Sequence, residues 1–215
     1  MKRLLILALL LCSFAANAQN IQALTDGKIN FVTFELNKAF DHTAIYYFTD
    51  FKVDHNGIAE SYSEISGYVN ITKTFSATLQ YNAGVNKTFR IYPVYLGGVS
   101  KAFTIGKSFN LSFDVTFRHQ NFLYLGDKEM HNGYQITTTF SQDLKKTQVS
   151  GYCDFWNNKY FIFEPQGWYK LTKRVYLGLE WRTSNYDEVL NYDANGGFIG
   201  HYANYVMFGV KLNMD

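Results

Sequence analysis

Apolar and polar residues alternate one by one along much of this chain. The clearest segment is 109–121, in which every second residue from Phe109 to Phe117 is apolar and the residues between them are polar. A period of two places the two sets on opposite faces of a β-strand. A tilted strand crosses a bilayer in roughly 9 to 11 residues, which is close to the length of this segment. The pattern therefore favours a membrane-spanning strand.

Eleven further segments carry a similar alternation and are separated by turn residues such as Asp26-Gly27 and Asn56-Gly57. The twelve predicted strands are 21–25, 29–37, 43–54, 58–71, 75–82, 90–101, 109–121, 133–143, 148–156, 159–170, 175–183 and 205–212. Pro93 and Pro165 lie inside two of them and predict local breaks in strand pairing, because proline has no N–H to donate. The sequence predicts an all-β protein, a closed antiparallel transmembrane β-barrel of about 12 strands.

The connections agree with that count. An even number of strands places both termini on one side, and in such barrels the periplasmic turns are short while the extracellular loops are longer. The two longest predicted connections follow strands seven and eleven, so both lie on the same, extracellular side. A soluble exported barrel or sandwich would show the same alternation with its apolar face turned inward.

Residues 1–18 resemble a secretory signal. Lys2 and Arg3 precede an apolar block that ends near Leu11, and the segment closes on Ala16-Asn17-Ala18. We expect cleavage before Gln19, which leaves 19–215 as one barrel domain. Leu11 is bulky where a lipidation signal has a small residue before its cysteine, so Cys12 is not expected to carry a lipid.

Charge and cysteine content exclude several classes of protein. The chain has 20 Lys or Arg and 18 Asp or Glu, and the predicted signal removes two of the cations. The mature chain is then formally neutral, which disfavours a nucleic-acid partner. Cys153 is its only cysteine, so an intrachain disulfide is impossible. Nineteen Phe and 17 Tyr suit the aromatic girdles of a membrane barrel.

Strand parity assigns a set of ionisable and aromatic side chains to the barrel interior. The predicted lumen and solute-lining residues are Asp50, Lys52, Glu60, Tyr62, Glu64, Asp114, Arg118, Tyr152, Asp154, Trp156, Glu164, Glu180 and Arg182. Opposite charges among them could pair and fill the interior, or they could line a narrow constriction. The three rings could stack on a planar base while carboxylates accept hydrogen bonds from hydroxyl groups.

Neither a metal site nor an enzyme is the favoured interpretation. The five histidines are scattered without metal-ligand spacing, so we expect no metal and no cofactor. A barrel-wall lipid-modifying enzyme of the phospholipase type remains an alternative, although no histidine is followed two residues later by serine and Gly-x-Ser-x-Gly is absent. A structural or surface-binding barrel without a pore, using the two long loops, is the other alternative.

Several short segments resemble a known family. Residues 111–127, 131–134 and 149–156 are similar to the second half of the Tsx-like nucleoside-specific channel proteins of gram-negative outer membranes, and 46–51, 61–64 and 161–169 resemble an uncharacterised branch near that family. The resemblance implies a twelve-stranded barrel whose narrow, aromatic and ionisable lumen passes nucleosides. This chain departs from the family in its smaller length and in ending on Asp215 rather than an aromatic residue.

Together these features predict a monomeric outer-membrane channel for passive diffusion of small polar solutes, with nucleosides as the first candidates. Its surroundings would be outer-membrane lipid. A lipid-facing Phe113 near the bilayer centre predicts that Phe113→Arg costs about 2 to 4 kcal/mol.

Overall fold

The computed structural model describes residues 19–86, 90–120, 131–157, 160–185, 191–192, 198–199 and 203–214. The strands are β1 (Asn20–Thr25), β2 (Asn30–Ala39), β3 (Thr43–Asp54), β4 (Gly57–Asn70), β5 (Phe75–Asn86), β6 (Arg90–Ile105), β7 (Phe109–Gln120), β8 (His131–Asp143), β9 (Thr147–Trp156), β10 (Tyr160–Lys170), β11 (Val175–Ser184), β12 (Asn191–Tyr192), β13 (Phe198–Ile199) and β14 (Ala203–Asn213). No helix in these ranges is long and apolar enough to span a membrane.

Twelve of the strands form one closed antiparallel barrel, and β12 and β13 form a separate two-stranded sheet with two residues in each strand. Each barrel strand pairs with its neighbours along the chain, and β14 closes the wall by pairing with both β11 and β1. The closing register joins Asn20 to Asn213 and Thr25 to Phe208. The predicted fold class and strand number are confirmed, and each predicted segment corresponds to one barrel strand.

Asn20 of β1 and Asn213 of β14 lie opposite each other at one end of the barrel, which we call the terminal end, and the opposite end is the loop end. The turns at the terminal end span 40–42, 71–74, 106–108, 144–146 and 171–174. The strand ends that flank the two longer connections, Gln120 and His131, and Ser184 and Ala203, lie at the loop end. The predicted division into short and long connections is thus confirmed.

The outer face is apolar and the inner face is polar, which is the reverse of a water-soluble barrel. Leu79 and Phe208 point outward and are 75% and 64% exposed, whereas Asp114 and Thr116 point inward and are each 2% exposed. An apolar outer surface of this extent is stable only when hydrocarbon surrounds it. The alternation read from the sequence therefore has its apolar face outward, and the soluble-barrel alternative does not fit.

Rings and cations mark the two edges of the apolar surface. Near the loop end, the Tyr95 ring contacts the rings of Tyr81 and His119 in tilted arrangements, with centroid distances of 5.3 and 6.2 Å. Near the terminal end, Lys101 lies 5.2 Å from the ring centroid of Phe103. Amphipathic rings and long cationic side chains are typical of the bilayer interface.

The two prolines coincide with irregular pairing, as predicted. The β5–β6 register shifts between Asn82 and Gly84, opposite Pro93. The β10–β11 pairing is interrupted beside Pro165 and resumes at Phe163, although Pro165 still lies opposite Gly151 of β9. A third shift, in the β3–β4 pairing between Lys52 and Val53, has no proline near it and was not predicted.

Candidate functional site in the barrel lumen

A cavity of about 600 Å³ lies inside the barrel, and all twelve barrel strands contribute side chains to its wall. It extends from the terminal end, where Gln19 and Asn213 border it, to the level of Asp50 and Arg182. Because inward side chains alternate with outward ones along every strand, the polar residues of each strand face this space. The cavity is therefore the candidate site.

The register places all thirteen predicted lumen residues on the inward face. Seven of them border the cavity, namely Asp50, Glu64, Tyr152, Asp154, Glu164, Glu180 and Arg182. Lys52, Glu60 and Tyr62 lie nearer the loop end on β3 and β4. Asp114, Arg118 and Trp156 are buried in side-chain packing along the wall.

Neutral donors hold the carboxylates of β2 and β3. The carboxylate of Glu35 accepts hydrogen bonds from Asn20 Nδ2 at 2.9 Å and from Gln22 Nε2 at 3.2 Å. Thr33 Oγ1 donates to Asp50 Oδ1 at 2.5 Å. Hydrogen bonds of this kind fix a carboxylate in place without cancelling its charge.

The carboxylates of β9 and β11 are held in the same way. Thr137 Oγ1 donates to Asp154 Oδ1 at 2.5 Å, and Gln166 Nε2 donates to Glu180 Oε2 at 2.6 Å. The Gln166 amide also accepts a 3.0 Å hydrogen bond from Trp168 Nε1, so the indole orients the amide that contacts Glu180. These polar side chains give the lumen a fixed arrangement of charge.

Both cations of the cavity wall are engaged by protein groups. Arg182 Nη1 forms an ion pair with Glu164 Oε1 at 2.5 Å. Lys211 lies over the rings of Trp168 and Tyr176, 4.6 and 5.3 Å from their centroids, and its ammonium donates to Gln148. Among the described residues the cavity wall carries six carboxylates and these two cations. The formal charge facing the cavity is therefore negative.

Asp114 is part of a buried hydrogen-bond cluster that joins four strands. Its carboxylate accepts hydrogen bonds from Tyr68 at 3.0 Å, from Gln80 at 3.2 Å and from Ser100 at 2.5 Å. These donors come from β4, β5 and β6, while Asp114 belongs to β7. Since a buried carboxylate needs such donors, the cluster stabilises this part of the wall.

Arg118 and Trp156 belong to a second packed region near the loop end. The Arg118 guanidinium lies 5.6 Å from the Trp156 ring and donates to Gln120 Oε1 at 2.7 Å. Trp156 also contacts Tyr160, at a centroid distance of 5.6 Å. Leu96 is 2% exposed in the same part of the wall. Side chains of β6 to β10 thus fill their side of the lumen above the cavity.

A column of rings follows β3 and β4 on the inner face. Phe48 contacts both Tyr46 and Tyr62, with centroid distances of 5.9 Å to each. Tyr46 and Phe48 both border the cavity, and Phe48 lies opposite Glu35 of β2 and Glu64 of β4. This column places a planar apolar surface beside hydrogen-bond acceptors.

An apolar cluster occupies another part of the inner wall. Leu24, Trp168, Tyr176 and Met207 are buried together on β1, β10, β11 and β14. Gly178 and Gly209 lie between Trp168 and Leu24 in one cross-strand row. A Cβ at Gly178 would overlap the Trp168 ring, and a Cβ at Gly209 would overlap the Leu24 side chain; each would also overlap the backbone of the adjacent strand. The absence of side chains at the two glycines therefore leaves space for the indole and the leucine.

Sequence reasoning missed several of these residues. Glu35, Tyr46, Phe48 and Lys211 border the cavity and were not in the predicted set. The alternation of inward and outward positions could have identified them. Lys211, for example, lies between the outward residues Val210 and Leu212, just as Glu180 lies between two outward residues. No group of residues in the described ranges could hold a metal ion.

The fold defines the class of protein: a twelve-stranded barrel shared with outer-membrane porins. The chain is similar to a structure titled "NanC porin structure in rhombohedral crystal form", with a TM-score of 0.60, 9% identity and coverage of 91% of this chain and 99% of the other. It is also similar to the structure "KdgM porin", with a TM-score of 0.55, 8% identity and coverage of 91% and 98%. A third, "KdgM porin in complex with disordered oligogalacturonate", gives a TM-score of 0.53 at 8% identity, with coverage of 91% and 98%.

The chain belongs to the family described as "Domain of unknown function (DUF5020)", which matches residues 16–196. No curated protein matches the sequence. At 8 to 9% identity, the likeness to these porins is a likeness of fold.

Proposed function

We propose that this protein is an outer-membrane channel through which small polar solutes diffuse passively. The observation that carries the proposal is the polar cavity of about 600 Å³ enclosed by a barrel with an apolar outer surface. The predicted signal at 1–18 supports export, and the short turns at the terminal end support placing that end in the periplasm. The twelve strands of one chain close the wall, which supports a monomer in outer-membrane lipid.

The lumen geometry favours a selective passage over a wide one. Twelve strands enclose less space than the sixteen of an open porin, and packed side chains near Arg118 and Trp156 narrow the lumen further. A solute that passes therefore touches the wall, and its affinity must be weak enough for it to leave. Diffusion past the cavity needs neither a cofactor nor covalent chemistry.

Nucleosides are the first solutes to test. The resemblance to the Tsx-like family motivates the choice, and the wall offers complementary groups. Tyr46, Phe48 and Tyr152 border the cavity and could stack on a base, while Asp50 and Asp154 could accept hydrogen bonds from ribose hydroxyls. The porin neighbours support only the coarser proposal of solute diffusion.

Ion conductance of the refolded protein in a planar bilayer tests this proposal. Folding is verified first, by the slower migration of the heat-denatured barrel on gel electrophoresis. We expect small current steps that adenosine or thymidine reduces, while a sugar of similar size reduces them less. Current steps unaffected by nucleosides would overturn the proposal that nucleosides are the solutes but would still support a channel. A folded barrel without conductance would overturn the channel and favour a structural barrel.

A further inference from the structure

We propose that the cavity makes this channel selective for cations, so that small organic cations pass in preference to neutral solutes of equal size and acidic solutes are excluded. This inference rests on the proposed channel function. It concerns the charge, the hydrogen-bonding groups and the ring surfaces of the cavity wall.

The charge of the wall is the first step. Three carboxylates lie on β2, β3 and β4, and three lie on β9, β10 and β11; they are Glu35, Asp50, Glu64, Asp154, Glu164 and Glu180. The two arcs are separated by β1 and β14 on one side and by β5 to β8 on the other. A solute in the cavity therefore meets carboxylates from two directions. A low-dielectric wall concentrates the field of such groups and enriches counter-ions.

The cations of the wall compensate only part of this charge. Arg182 is committed to Glu164 through a 2.5 Å ion pair. Lys211 is 4% exposed and is held between Trp168 and Tyr176. Both cations are therefore already engaged by protein groups. Four carboxylates remain in excess among the described residues that border it.

An unpaired acceptor in the same cavity points to a ligand that supplies donors. Gln22 borders the cavity and is 3% exposed, and its Nε2 donates to Asn20 and Glu35. Its Oε1 is buried and has no hydrogen-bond partner. A buried carbonyl without a partner is unfavourable, and an N–H donor from a solute satisfies it. This observation is independent of the carboxylates and favours the same chemistry.

The rings beside the carboxylates complete the binding surface. Phe48 lies opposite both Glu35 and Glu64, and Tyr46 is its neighbour on the same inner face. Aromatic faces attract cations and also cover the methylene groups of an organic solute. The wall therefore offers acceptors for an ammonium group and an apolar surface for its carbon chain, whereas an acidic oligosaccharide such as the oligogalacturonate named with KdgM would be repelled.

Reversal potentials across a KCl gradient measure the selectivity of the intact protein. We expect a K⁺ to Cl⁻ permeability ratio of about 10 near 0.1 M salt, because a charged cleft enriches counter-ions by about that factor or more. The ratio should fall toward one near 1 M salt, since the screening length drops to about 3 Å. A second measurement compares uptake into liposomes of putrescine, 1,4-butanediol and succinate, which share a four-carbon chain and differ in charge. Putrescine should enter fastest and succinate slowest.

Neutralising substitutions locate the effect. The triple variant Glu35→Gln, Asp50→Asn and Glu64→Gln should lower the permeability ratio several-fold while conductance persists. Asp41→Asn is the matched control, because Asp41 is exposed in the turn 40–42 outside the lumen and its loss should not change the ratio.

The outcomes separate the two proposals. A conducting wild-type channel with a ratio at or below one, or with succinate entering as fast as putrescine, would overturn cation selectivity and leave the channel intact. A folded wild-type barrel that neither conducts nor admits any probe would overturn the channel itself. The wild-type measurements decide the question even where the triple variant does not fold.

Discussion

Neighbouring outward positions of β7 differ in their depth relative to the bilayer. Val115 lies opposite Val99 and Ile136, so all its cross-strand neighbours on the outer face are apolar. Phe113 lies opposite Lys101, whose ammonium lies near the edge of the apolar surface. The bilayer centre is therefore closer to Val115 than to Phe113, the position that the sequence suggested.

This difference predicts two unequal costs of arginine. Val115→Arg should lower the free energy of unfolding in lipid by about 2 to 4 kcal/mol, and Phe113→Arg by about 1 kcal/mol or less, because the penalty for arginine falls from the midplane toward the interface. Denaturant titration of both variants in lipid vesicles measures the costs. A near-neutral Val115→Arg would contradict a lipid-facing outer surface.

Asp26 illustrates how one carboxylate organises a turn at the loop end. Its Oδ1 accepts hydrogen bonds from the backbone N–H groups of Ile29 at 2.6 Å and Lys28 at 2.8 Å. These bonds, that of Ile29 first, hold the pKa of Asp26 below its ordinary value of 3.8. Because the charged form accepts the bonds, folding lowers the pKa relative to the unfolded chain.

The sign of the resulting pH dependence follows from this shift. A lowered folded-state pKa contributes stability above the unfolded pKa, and that contribution is lost as pH falls through the folded pKa. We expect wild type to be more stable than Asp26→Asn near pH 6, and the difference should shrink as pH falls toward about 3. Unfolding titrations of both proteins across this range measure it. A difference that stays constant with pH would show that the charge of Asp26 makes no contribution.

The Asp114 cluster connects β7 to three preceding strands, and one truncation should disrupt all of its contacts. Asp114→Ala leaves the hydroxyls of Tyr68 and Ser100 and the amide of Gln80 without this acceptor. We expect a loss of about 3 kcal/mol or more in the free energy of unfolding, because buried donors without partners cost about 1 to 3 kcal/mol each.

Asp143→Ala is the matched control for this cluster. Asp143 ends β8 at the terminal end and is exposed, so its truncation should change stability by less than about 0.5 kcal/mol. Equal effects of the two substitutions would show that the Asp114 hydrogen bonds make no special contribution.

The row of Trp168, Gly178 and Gly209 across β10, β11 and β14 depends on the absence of side chains at the glycines. A Cβ at Gly178 would overlap the Trp168 ring and the Gly167 carbonyl. Gly178→Ala should therefore cost about 1 to 3 kcal/mol, as overpacking does in other cores. Gly167→Ala, on the outward face with open space around its Cβ, should be neutral within about 0.5 kcal/mol. Unfolding titrations compare the two, and equal costs would contradict the packing argument.

The strands were predictable because, in an extended backbone, successive side chains point to opposite faces, so an alternating sequence produces one apolar and one polar face. This holds for β7, whose outward Phe117 and inward Thr116 follow directly from the pattern. The shift opposite Pro93 was predictable for an equally local reason, the missing N–H of proline. The shift between Lys52 and Val53 has no such local signal, since it depends on how β3 and β4 pair through the Asn56-Gly57 turn.

The composition of the site was less predictable, because it depends on contacts across the barrel. Parity places Asp114 and Asp50 equally inward, yet donors from β4, β5 and β6 bury Asp114, while Asp50 borders the cavity. Pairing of opposite charges was one of two interpretations of the predicted lumen residues, and Arg182 does pair with Glu164. Lys211 instead contacts two rings, which β10 and β11 bring beside β14.

Packed side chains fill part of the barrel interior, and the rest is an open cavity. Side chains of β6 to β10 fill their side of the lumen near the loop end, and the cluster around Trp168 occupies part of the inner wall on β1, β10, β11 and β14. The remaining cavity runs to the terminal end. A wall closed by one chain can therefore combine a rigid barrel with a narrow polar interior, which is the condition for contact between wall and solute.

The orientation of the barrel is the remaining global property, and two exposed turn residues on opposite ends report it. His55 lies in the turn between β3 and β4 at the loop end, and Lys107 lies in the turn between β6 and β7 at the terminal end. Short turns of outer-membrane barrels face the periplasm, so the terminal end should be periplasmic. Single cysteines at these positions, in a background where Cys153→Ser removes the outward thiol of β9, allow each end to be labelled separately.

In intact gram-negative cells that express these variants, a membrane-impermeant maleimide should label His55→Cys. It should label Lys107→Cys only after the outer membrane is opened, because the impermeant reagent does not otherwise reach the periplasmic end. Labelling of Lys107→Cys alone in intact cells would show that the barrel has the opposite orientation. Labelling of neither variant in opened cells would show that the turns are not accessible. With the predicted orientation, a solute entering from outside meets Lys52 and Glu60 near the loop end before it reaches the carboxylates of the cavity.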